Sequence, residues 1–316
     1  MAPFIQIVLL SSFVIICEVL RTYVSVCNTD SFVPEAKLLP FLDLPAQVPA
    51  SYRLAKEESF GFFDYVSDYE WKELKDVARS FVHQHPNVST ETVPAIWYYQ
   101  NYYPFFTCPH DLRRVGGLGD GPKYMCDPHR LPDMAKARQD GEACLIYSVG
   151  SRAKFEFEDG IQEIIGNACE IHVFDPKWKG SPDLAERNIQ YHQWGLKSSN
   201  DVNSSSLKGN YYSLQEIMAS LNHTSRVVDV FKIDCEGCEW STYRDWLNVD
   251  IRQLLVETHS LCEDGIEASI AFFEDIRNAG YVTVSREANI HPQATQQGNM
   301  GFEWTFLRLS KRFMGI

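Results

Sequence analysis

The sequence has no excess of basic residues: 29 lysines and arginines stand against 42 aspartates and glutamates, a formal net charge of -13. A chain with this balance has no overall positive field, so non-specific binding to nucleic acid phosphates is not its role, although a local basic patch stays open. The 316 residues, 45% of them hydrophobic, are enough to bury a large core or a core with a subdomain. A globular fold is therefore expected.

The N-terminus also lacks an apolar run long enough to cross a bilayer comfortably. The run there extends from Phe4 to Cys17 and predicts a secretory signal peptide within residues 1–27. Because no basic residue precedes the run and Arg21 follows it, a signal anchor is the alternative. Both interpretations predict a protein of the secretory pathway, either secreted or held in the Golgi or ER lumen, with no membrane contact beyond the anchor.

Three short motifs agree with a lumenal location. They are the N-glycosylation sequons at Asn87, Asn203 and Asn222. Most of the nine cysteines should pair in such an oxidising compartment. We expect a disulfide between Cys108 and Cys126, which flank a glycine-rich segment.

Other cysteines leave alternatives open. Cys144 and Cys169 lie in apolar strand-like runs, where a disulfide and a buried free thiol fit equally well. Cys235 and Cys238 form a C-x-x-C pair, but a structural zinc site needs four ligands and the chain has no second C-x-x-C. We therefore favour buried or disulfide-bonded cysteines over zinc at this pair.

The residue pattern of the chain changes near residue 140. Residues 28–140 are rich in proline, aromatics and turn formers, which predicts an irregular, disulfide-containing N-terminal region with one helix within 67–83. In residues 141–316 short apolar runs alternate with amphipathic segments, the pattern of βαβ units around a parallel sheet. An α/β domain with seven strands follows. The strands are predicted at 143–149, 170–175, 188–194, 227–234, 251–258, 281–287 and 302–309, and the helices at 156–165, 212–221, 239–247 and 266–278.

Glycine is scarce after the first predicted strand. Residues 148–155 contain one glycine, whereas a dinucleotide site needs G-x-G-x-x-G there, so a bound pyrophosphate and a nicotinamide-dependent oxidoreductase are disfavoured. The segment GGLGDG, residues 116–121, follows no predicted strand and precedes Pro122. We predict a turn for it rather than a phosphate-binding loop.

Polar residues follow several of the strands, where open α/β sheets bind their ligands. Asp175 lies 25 residues after Gly150, the spacing at which an acidic residue binds a ribose diol, although a turn at Asp175-Pro176 fits equally well. Asp234 ends the fourth strand and Glu236 begins the turn that follows it. His259 follows the fifth strand, a position that suits a general base, a substrate hydrogen bond or a loop cap.

The order of these motifs resembles the FkbM-type methyltransferase superfamily, and more closely the animal methyltransferase-like proteins of the secretory pathway. The resemblance covers residues 108–309, and FKIDCEGCEW is its most specific part. Its other motifs are GGLGDGPKYMCDPHR, CLIYSVG, FDP, YHQWGL and LLVETH. It implies a Rossmann-like seven-stranded domain that binds S-adenosylmethionine.

Carried over by position, the resemblance implies a role for each strand-end residue. Ser148 and Gly150 would line the methionine side of the cofactor, and Asp175 would hold the ribose hydroxyls. Gly195 and Leu196 would lie near the adenine. Asp234, which we also count among the cofactor contacts, and Glu236 would stand between cofactor and substrate.

The reaction expected is methyl transfer to a hydroxyl group, with His259 as base and Asp234 or Glu236 orienting the acceptor. The resemblance favours a glycan or a glycosylated small molecule as acceptor. A divalent cation held by Asp234, Glu236 and His259 is an alternative that we do not favour. A secreted pseudoenzyme that keeps the fold as a binding module ranks second.

Overall fold

The computed structural model describes residues 58–63, 66–80, 97, 100–108, 110–138, 140–180, 183–201, 209–259, 265–289 and 301–316. The chain divides into two compact units, Met1–Val48 and Pro49–Ile316, and the described residues all belong to the second. The predicted signal segment and the sequons at Asn87 and Asn203 lie outside the described residues. None of the helices that the structure describes has both the length and the apolar character needed to cross a membrane.

The described elements alternate between strands and helices along most of the chain. The strands are β1 (Leu112–Val115), β2 (Lys123–Cys126), β3 (Cys144–Val149), β4 (Cys169–Phe174), β5 (Ile189–His192), β6 (Gly195–Leu196), β7 (Tyr211–Tyr212), β8 (Val228–Ile233), β9 (Ile251–Thr258), β10 (Tyr281–Ala288) and β11 (Phe302–Arg308). The helices are α1 (Asp68–Ser80), α2 (Leu131–Ala137), α3 (Glu156–Ile165), α4 (Asp183–Glu186), α5 (Leu214–Ser220), α6 (Glu239–Trp246), α7 (Ile266–Asn278) and α8 (Lys311–Met314).

Seven of the strands form one sheet, in the order β10-β11-β9-β8-β3-β4-β5. All seven were predicted from the sequence, so the α/β fold class is confirmed. The expectation of an all-parallel sheet is wrong at one edge, because β11 runs antiparallel to both β9 and β10. The sequence pattern could not show this, since a buried strand has the same apolar composition in either direction.

The two central strands, β3 and β8, are buried at every position. Their side chains alternate between two apolar layers, as the two-residue period of a strand requires. Ile146 and Val230 enter the layer on one face, while Leu145 and Phe231 enter the layer on the other. Burial on both faces explains why β3, CLIYSV, shows no alternation of apolar and charged residues, whereas β8, VDVFKI, also buries Asp229 and Lys232.

Residues before β3 pack on the same sheet. Trp71 of α1, the helix predicted within 67–83, stacks near Phe313, with ring centroids 4.5 Å apart. The β1–β2 hairpin was not predicted, although its turn at residues 116–121 was. The side chain of Gln253 on β9 bonds both the N–H and the carbonyl of Cys126, each at 2.9 Å. The hairpin is thereby joined to the sheet; the domain boundary at 140/141 stays a prediction.

Three disulfides are present among the described cysteines. Cys108–Cys126 is the predicted pair. Cys144–Cys169 joins two residues that are opposite partners in β3 and β4, so the disulfide and not the free thiol is present there. Cys235–Cys238 closes the turn after β8, as one of the two favoured interpretations of that pair required.

Candidate active site

The candidate site lies at the carboxyl ends of β3 and β8, two neighbouring parallel strands. The strand order turns at this pair, because the chain leaves β3 toward β4 on one side and β8 toward β9 on the other. Ligands of open α/β sheets bind at such a switch point. The loops that follow β3 and β8 therefore decide what the site holds.

Gly150 lets these two loops touch. Its φ is +83°, and an added Cβ would lie 1.6 Å from the carbonyl oxygen of Asp234. The N–H of Asp234 in turn donates to the carbonyl of Val149 at 3.1 Å. The one glycine that the sequence offers after β3 is thus required by the close approach of the Asp234 backbone.

An ion pair continues the contact between the two loops. Arg152 follows β3 and Glu236 follows β8, and Nη1 of the arginine lies 2.8 Å from Oε1 of the glutamate. Both residues have a positive φ, +49° for Arg152 and +59° for Glu236, and both side chains are about half exposed. The pair stands at the surface of the switch point, where an incoming ligand would meet it.

His259 is held by a buried carboxylate that the sequence argument did not select. Oε1 of Glu239, the first residue of α6, accepts the backbone N–H of His259 at 2.6 Å and lies 3.1 Å from its Nδ1. The carbonyl of His259 accepts the indole N–H of Trp240 at 3.2 Å. Glu239 is fully buried. The imidazole is therefore fixed through its backbone and Nδ1, which leaves Nε2 facing the site.

Three carboxylates surround Nε2 of His259. Asp234 lies 3.7 Å from it, Glu236 3.7 Å and Glu257 3.6 Å. Burial lowers the pKa of His259, but the hydrogen bond to Glu239 and the charges of the surrounding carboxylates outweigh it and raise the pKa to about 9. The structure thus brings together the predicted catalytic residues Asp234, Glu236 and His259, with the imidazole positively charged at neutral pH.

A buried lysine completes this cluster. Nζ of Lys123, on β2, lies 2.7 Å from Glu303, 3.4 Å from Asp234 and 3.6 Å from Glu257. Burial and the neighbouring carboxylates raise the pKa of Glu257 and of Glu303. Burial also acts to raise the pKa of Asp234, but Lys123, Lys232 and His259 lower it well below its ordinary value. Asp234 is the carboxylate that remains ionised.

The predicted ribose ligand, Asp175, has other partners in this structure. Its Oδ2 accepts the N–H of Arg152 at 2.8 Å and its Oδ1 accepts the N–H of Lys177 at 2.9 Å. These two hydrogen bonds agree with the interpretation of Asp175-Pro176 as a turn. Each carboxylate oxygen still has a second lone pair for a hydroxyl group. Whether Asp175 binds ribose stays a prediction.

The other predicted cofactor contacts include Ser148 at the end of β3 and Gly195 and Leu196, which form β6. The side chain of Ser148 is fully buried beside Glu158 of α3, so contact with a ligand would come from its backbone. Gly195 lies against Tyr211 and Pro176, where an added Cβ would be 2.3 Å and 3.0 Å from their side chains. Leu196 is buried in the apolar layer. Gly195 is thus brought near the end of β4, whereas Ser148 and Leu196 point into the protein.

The helix after β3 begins with acidic residues. Glu156, Glu158 and Asp159 occupy the first turn of α3. A pyrophosphate is normally bound by the free N–H groups of this helix, whose positive end attracts anions. Asp159 pairs with Arg187 and burial raises the pKa of Glu158, so the exposed carboxylate of Glu156 is the one that acts against a phosphate there. This agrees with the low glycine content in disfavouring a dinucleotide. A cofactor without phosphate is compatible with the acidic turn.

Among the residues that the structure describes, three groups of side chains have the donor atoms and the spacing of a metal site. One is Asp234, Glu257 and His259; the others are Asp120, Glu257 and Glu303, and Glu170, His172 and His223. In the first group Glu257 takes the position that the sequence analysis gave to Glu236. The ammonium of Lys123 already neutralises Glu257 and Glu303, and Arg226 pairs with Glu170. Each group thus has a resident cation.

Several residues of the site were missed by the sequence argument. Glu239 and Glu257 stood next to selected residues, in EGCEW and VETH, and could have been found from those positions. Lys123, Glu303 and Arg152 could not, because only the folded chain brings β2, β11 and the loop after β3 to the end of β8.

Comparison with known proteins assigns the chain to a family. A methyltransferase domain family matches residues 53–302, and the chain belongs to it. A human protein named probable methyltransferase-like protein 24 is 28% identical over 126 residues, which cover 37% of this chain and 32% of that protein. The chain thus matches about a third of the length of this curated relative.

Solved structures similar to this chain include two that contain S-adenosylhomocysteine. One is the 1,6-didemethyltoxoflavin-N1-methyltransferase of Burkholderia thailandensis with bound 1,6-didemethyltoxoflavin and S-adenosylhomocysteine (13% identity, TM-score 0.32, 58% of this chain and 79% of that one). Another is the N-terminal domain of EvdMO1 with S-adenosylhomocysteine and D-fucose (12% identity, TM-score 0.27, 62% of this chain and 91% of that one). Likeness at this level carries no argument about substrate.

Proposed function

We propose that this chain is an S-adenosylmethionine-dependent O-methyltransferase of the secretory pathway, acting on a hydroxyl group of a glycan or a small molecule. The observation that carries the proposal is the convergence of Asp234, Glu236 and His259 beside the Gly150 turn, at the strand ends of a methyltransferase domain. The FkbM-type resemblance supports the sugar-like acceptor.

The residues around the switch point fit a cationic nucleoside cofactor. The acidic first turn of α3 suits a positive ligand without phosphate, and Asp175 offers a carboxylate at the end of β4. The backbone near Gly150 and Ser148 would meet the amino-acid part, and Gly195, which lies near Pro176, would be on the nucleoside side. When bound, S-adenosylmethionine supplies an electrophilic methyl group on a sulfonium.

The chain's own residues would position the acceptor and remove its proton. In our proposal the unprotonated Nε2 of His259 accepts the proton of the acceptor hydroxyl, and the ionised carboxylate of Asp234, 3.7 Å away, stabilises the imidazolium that forms. A base must be unprotonated, whereas the pKa of His259 is about 9 in the ligand-free protein. A positive ligand beside the imidazole would lower that pKa toward neutrality. Turnover at saturating cofactor is accordingly expected to increase with pH and to level off below about 9, the pKa of His259 in the ligand-free protein.

Two features support the secretory compartment. The structure has three disulfides, which persist in oxidising compartments. Asn222, the sequon asparagine among the described residues, is exposed in a turn after α5, where a glycan could be attached. The signal peptide or anchor within residues 1–27 remains part of this proposal.

A binding module without catalysis is the second candidate. One observation favours it: both oxygens of Asp175 already accept backbone hydrogen bonds, and only 3% of this residue is exposed. In that case the loops at the switch point would serve structure, and the fold would present a surface to a partner.

Calorimetric titration of the disulfide-intact protein with S-adenosylhomocysteine distinguishes the methyltransferase from the binding module. We expect micromolar binding by the wild type and at least a tenfold loss, about 1.4 kcal/mol, in Asp175→Ala. Asp133→Ala is the matched control, because its carboxylate is 82% exposed and lies on α2. Melting curves of each variant show that it is folded. Folded wild type that binds no S-adenosylhomocysteine would favour the binding module.

The base is tested by His259→Gln once an acceptor is found by screening glycans. The variant should bind S-adenosylhomocysteine as the wild type does and lose methyl transfer. Full turnover by His259→Gln at saturating acceptor would rule the role out.

A further inference from the structure

Lys123 is a charged side chain in a place where charge is costly. Its side chain is 1% exposed, and an ammonium removed from water needs close partners to remain ionised. Burial lowers its pKa, but Glu303, Asp234 and Glu257 raise it by more, so the net pKa is above its ordinary value. The lysine therefore brings a fixed positive charge to the candidate active site.

The three carboxylates that face Lys123 come from three different strands. Asp234 follows β8, Glu257 lies on β9, and Glu303 on β11 is the direct cross-strand partner of Glu257. Carboxylates this close cannot all be ionised without a neighbouring cation. The cluster therefore needs protons on some of its carboxylates or a cation beside them, and burial already raises the pKa of Glu257 and Glu303.

The β1–β2 hairpin positions Lys123, the first residue of β2. Besides the two bonds between Gln253 and Cys126, the hydroxyl of Thr305 on β11 donates to the carbonyl of Tyr124, the residue after Lys123, at 2.5 Å. The disulfide Cys108–Cys126 fixes the far end of β2. The hairpin is therefore docked on β9 and β11, the two strands that carry Glu257 and Glu303.

The two oxygens of Asp234 face different cations. Oδ2 lies 3.4 Å from Nζ of Lys123 and 4.0 Å from Nζ of Lys232, the farther of the two lysines, while Oδ1 lies 3.7 Å from Nε2 of His259. A divalent cation held by Asp234, Glu257 and His259 would stand close to this ammonium and be repelled by it. The same position cannot favourably hold both.

We propose that Lys123 is the resident cation of this site and a positioning residue for methyl transfer, in that its ammonium holds Asp234 ionised and turned toward His259. The positioning role rests on the proposed function; the cation role does not. The hairpin before the sheet is then an integral part of the site.

The test compares four variants by melting temperature at pH 5 and pH 8. Lys123→Met removes the charge, Lys123→Arg keeps it, and Lys123→Met/Glu303→Gln removes both members of the closest pair. Thr305→Val disturbs hairpin docking without changing charge. Removing one partner of a buried pair leaves an uncompensated charge, so Lys123→Met should melt about 10 °C lower at pH 8.

The pH dependence distinguishes a cation from a packing residue. Without Lys123 the carboxylates take up protons on folding, so their raised pKa contributes stability at low pH that is lost as the pH rises. The deficit of Lys123→Met should thus be about twice as large at pH 8 as at pH 5. Lys123→Arg should melt close to the wild-type temperature, and Lys123→Met/Glu303→Gln should melt at a higher temperature than Lys123→Met. Thr305→Val should lower the melting temperature by the same amount at both pH values.

A deficit of Lys123→Met that is independent of pH and unrelieved in the double variant would overturn the proposal. So would one-to-one binding of Mn²⁺ by the wild type that Asp234→Asn abolishes, because the cation would then be a metal; Lys123→Met is expected to gain such binding. Titration with S-adenosylhomocysteine is run separately. Wild type that fails to bind it would refute the proposed function and leave the melting comparison valid.

Discussion

Nδ1 of His259 lies 3.1 Å from Oε1 of Glu239, and the same oxygen accepts the backbone N–H of His259 at 2.6 Å. One buried carboxylate thus sets both the position of the loop after β9 and the orientation of the imidazole. Glu239 also accepts the N–H of Gly237 at 2.9 Å, which ties the turn after β8 to the same anchor. The two strand ends that carry Asp234 and His259 are in this way fixed relative to each other.

Replacing Glu239 with Gln should lower the pKa of His259 from about 9 toward 6.5. Burial then offsets the effect of the remaining carboxylates, Glu257 and Asp234, because the hydrogen-bonded negative charge of Glu239 is gone. The resonance of the ring C2–H in NMR spectra recorded against pH measures this pKa. Glu236→Gln is the control: its carboxylate is half exposed and 3.7 Å away, so the shift should be much smaller. An unchanged pKa in Glu239→Gln would contradict the assignment.

The same pKa of His259 predicts how the stabilities of the wild type and of Glu239→Gln depend on pH. A histidine whose folded-state pKa is raised contributes stability that is fully present below about pH 6.5 and is lost as the pH rises through about 9. The difference in stability between wild type and Glu239→Gln should therefore be largest at acidic pH and narrow toward pH 9. Denaturant titrations at pH 6 and pH 9 test this.

The sequence predicts the fold well because buried strands and amphipathic helices carry local patterns. The helices at 156–165 and 266–278 were predicted at the bounds found in α3 and α7, and the seven strands end within two residues of their predicted limits. The direction of β11 has no such local pattern. Its pairing depends on the length and path of the chain between β10 and β11.

The candidate site was predictable only where it is local. Asp234, Glu236 and His259 follow strands directly, so strand ends located them. Lys123 reaches the same cluster from a hairpin 111 residues before Asp234 in the chain. No spacing rule joins such residues, because the contact depends on how the hairpin docks.

Gly150→Ala should destabilise the protein by more than about 4 kcal/mol, because its new Cβ would meet the Asp234 carbonyl oxygen, a backbone atom that cannot move aside. Gly141→Ala is the matched control: its φ of +79° is also positive, but no atom lies within 4 Å of an added Cβ. Backbone strain alone should cost roughly 1 to 2 kcal/mol there. Denaturant unfolding measures the free energy of unfolding of both variants. Equal losses in Gly150→Ala and Gly141→Ala would contradict the close approach of the Asp234 carbonyl to Gly150.

The disulfides should differ in their contribution to stability. Cys144 and Cys169 are 25 residues apart in the chain, whereas Cys235 and Cys238 are 3 apart. Because cross-links that close longer loops restrict the unfolded chain more, loss of the first should cost about 3.5 kcal/mol and loss of the second about 2 kcal/mol. Paired Cys→Ala variants, unfolded in denaturant without reductant, test this order. A larger cost for Cys235→Ala/Cys238→Ala would show that the turn itself holds the site together.

A stack of aromatic rings on β4 and β5 predicts sensitivity to acid. The ring of His192 lies between those of His172 and Trp194, at centroid distances of 5.1 Å and 4.6 Å, and accepts or donates a 2.9 Å bond with Nδ1 of His172. Burial lowers the pKa of His192 to about 4, helped by the charges of His172 and His223. The ring is therefore neutral in the folded protein at a pH where the unfolded chain is already protonated.

His192→Phe should reduce the loss of stability in acid. Because the folded-state pKa is depressed, the unfolded chain binds more protons below about pH 6.5, and stability falls until the pH reaches about 4. Between pH 7.5 and pH 5 this titration should cost the wild type about 2 kcal/mol, or at least about 4 °C in melting temperature. His192→Phe keeps the ring stack and cannot titrate, so its melting temperature should fall less. His129→Phe, at a half-exposed side chain, should behave as the wild type does, and an equal fall in His192→Phe would show that other groups cause the acid sensitivity.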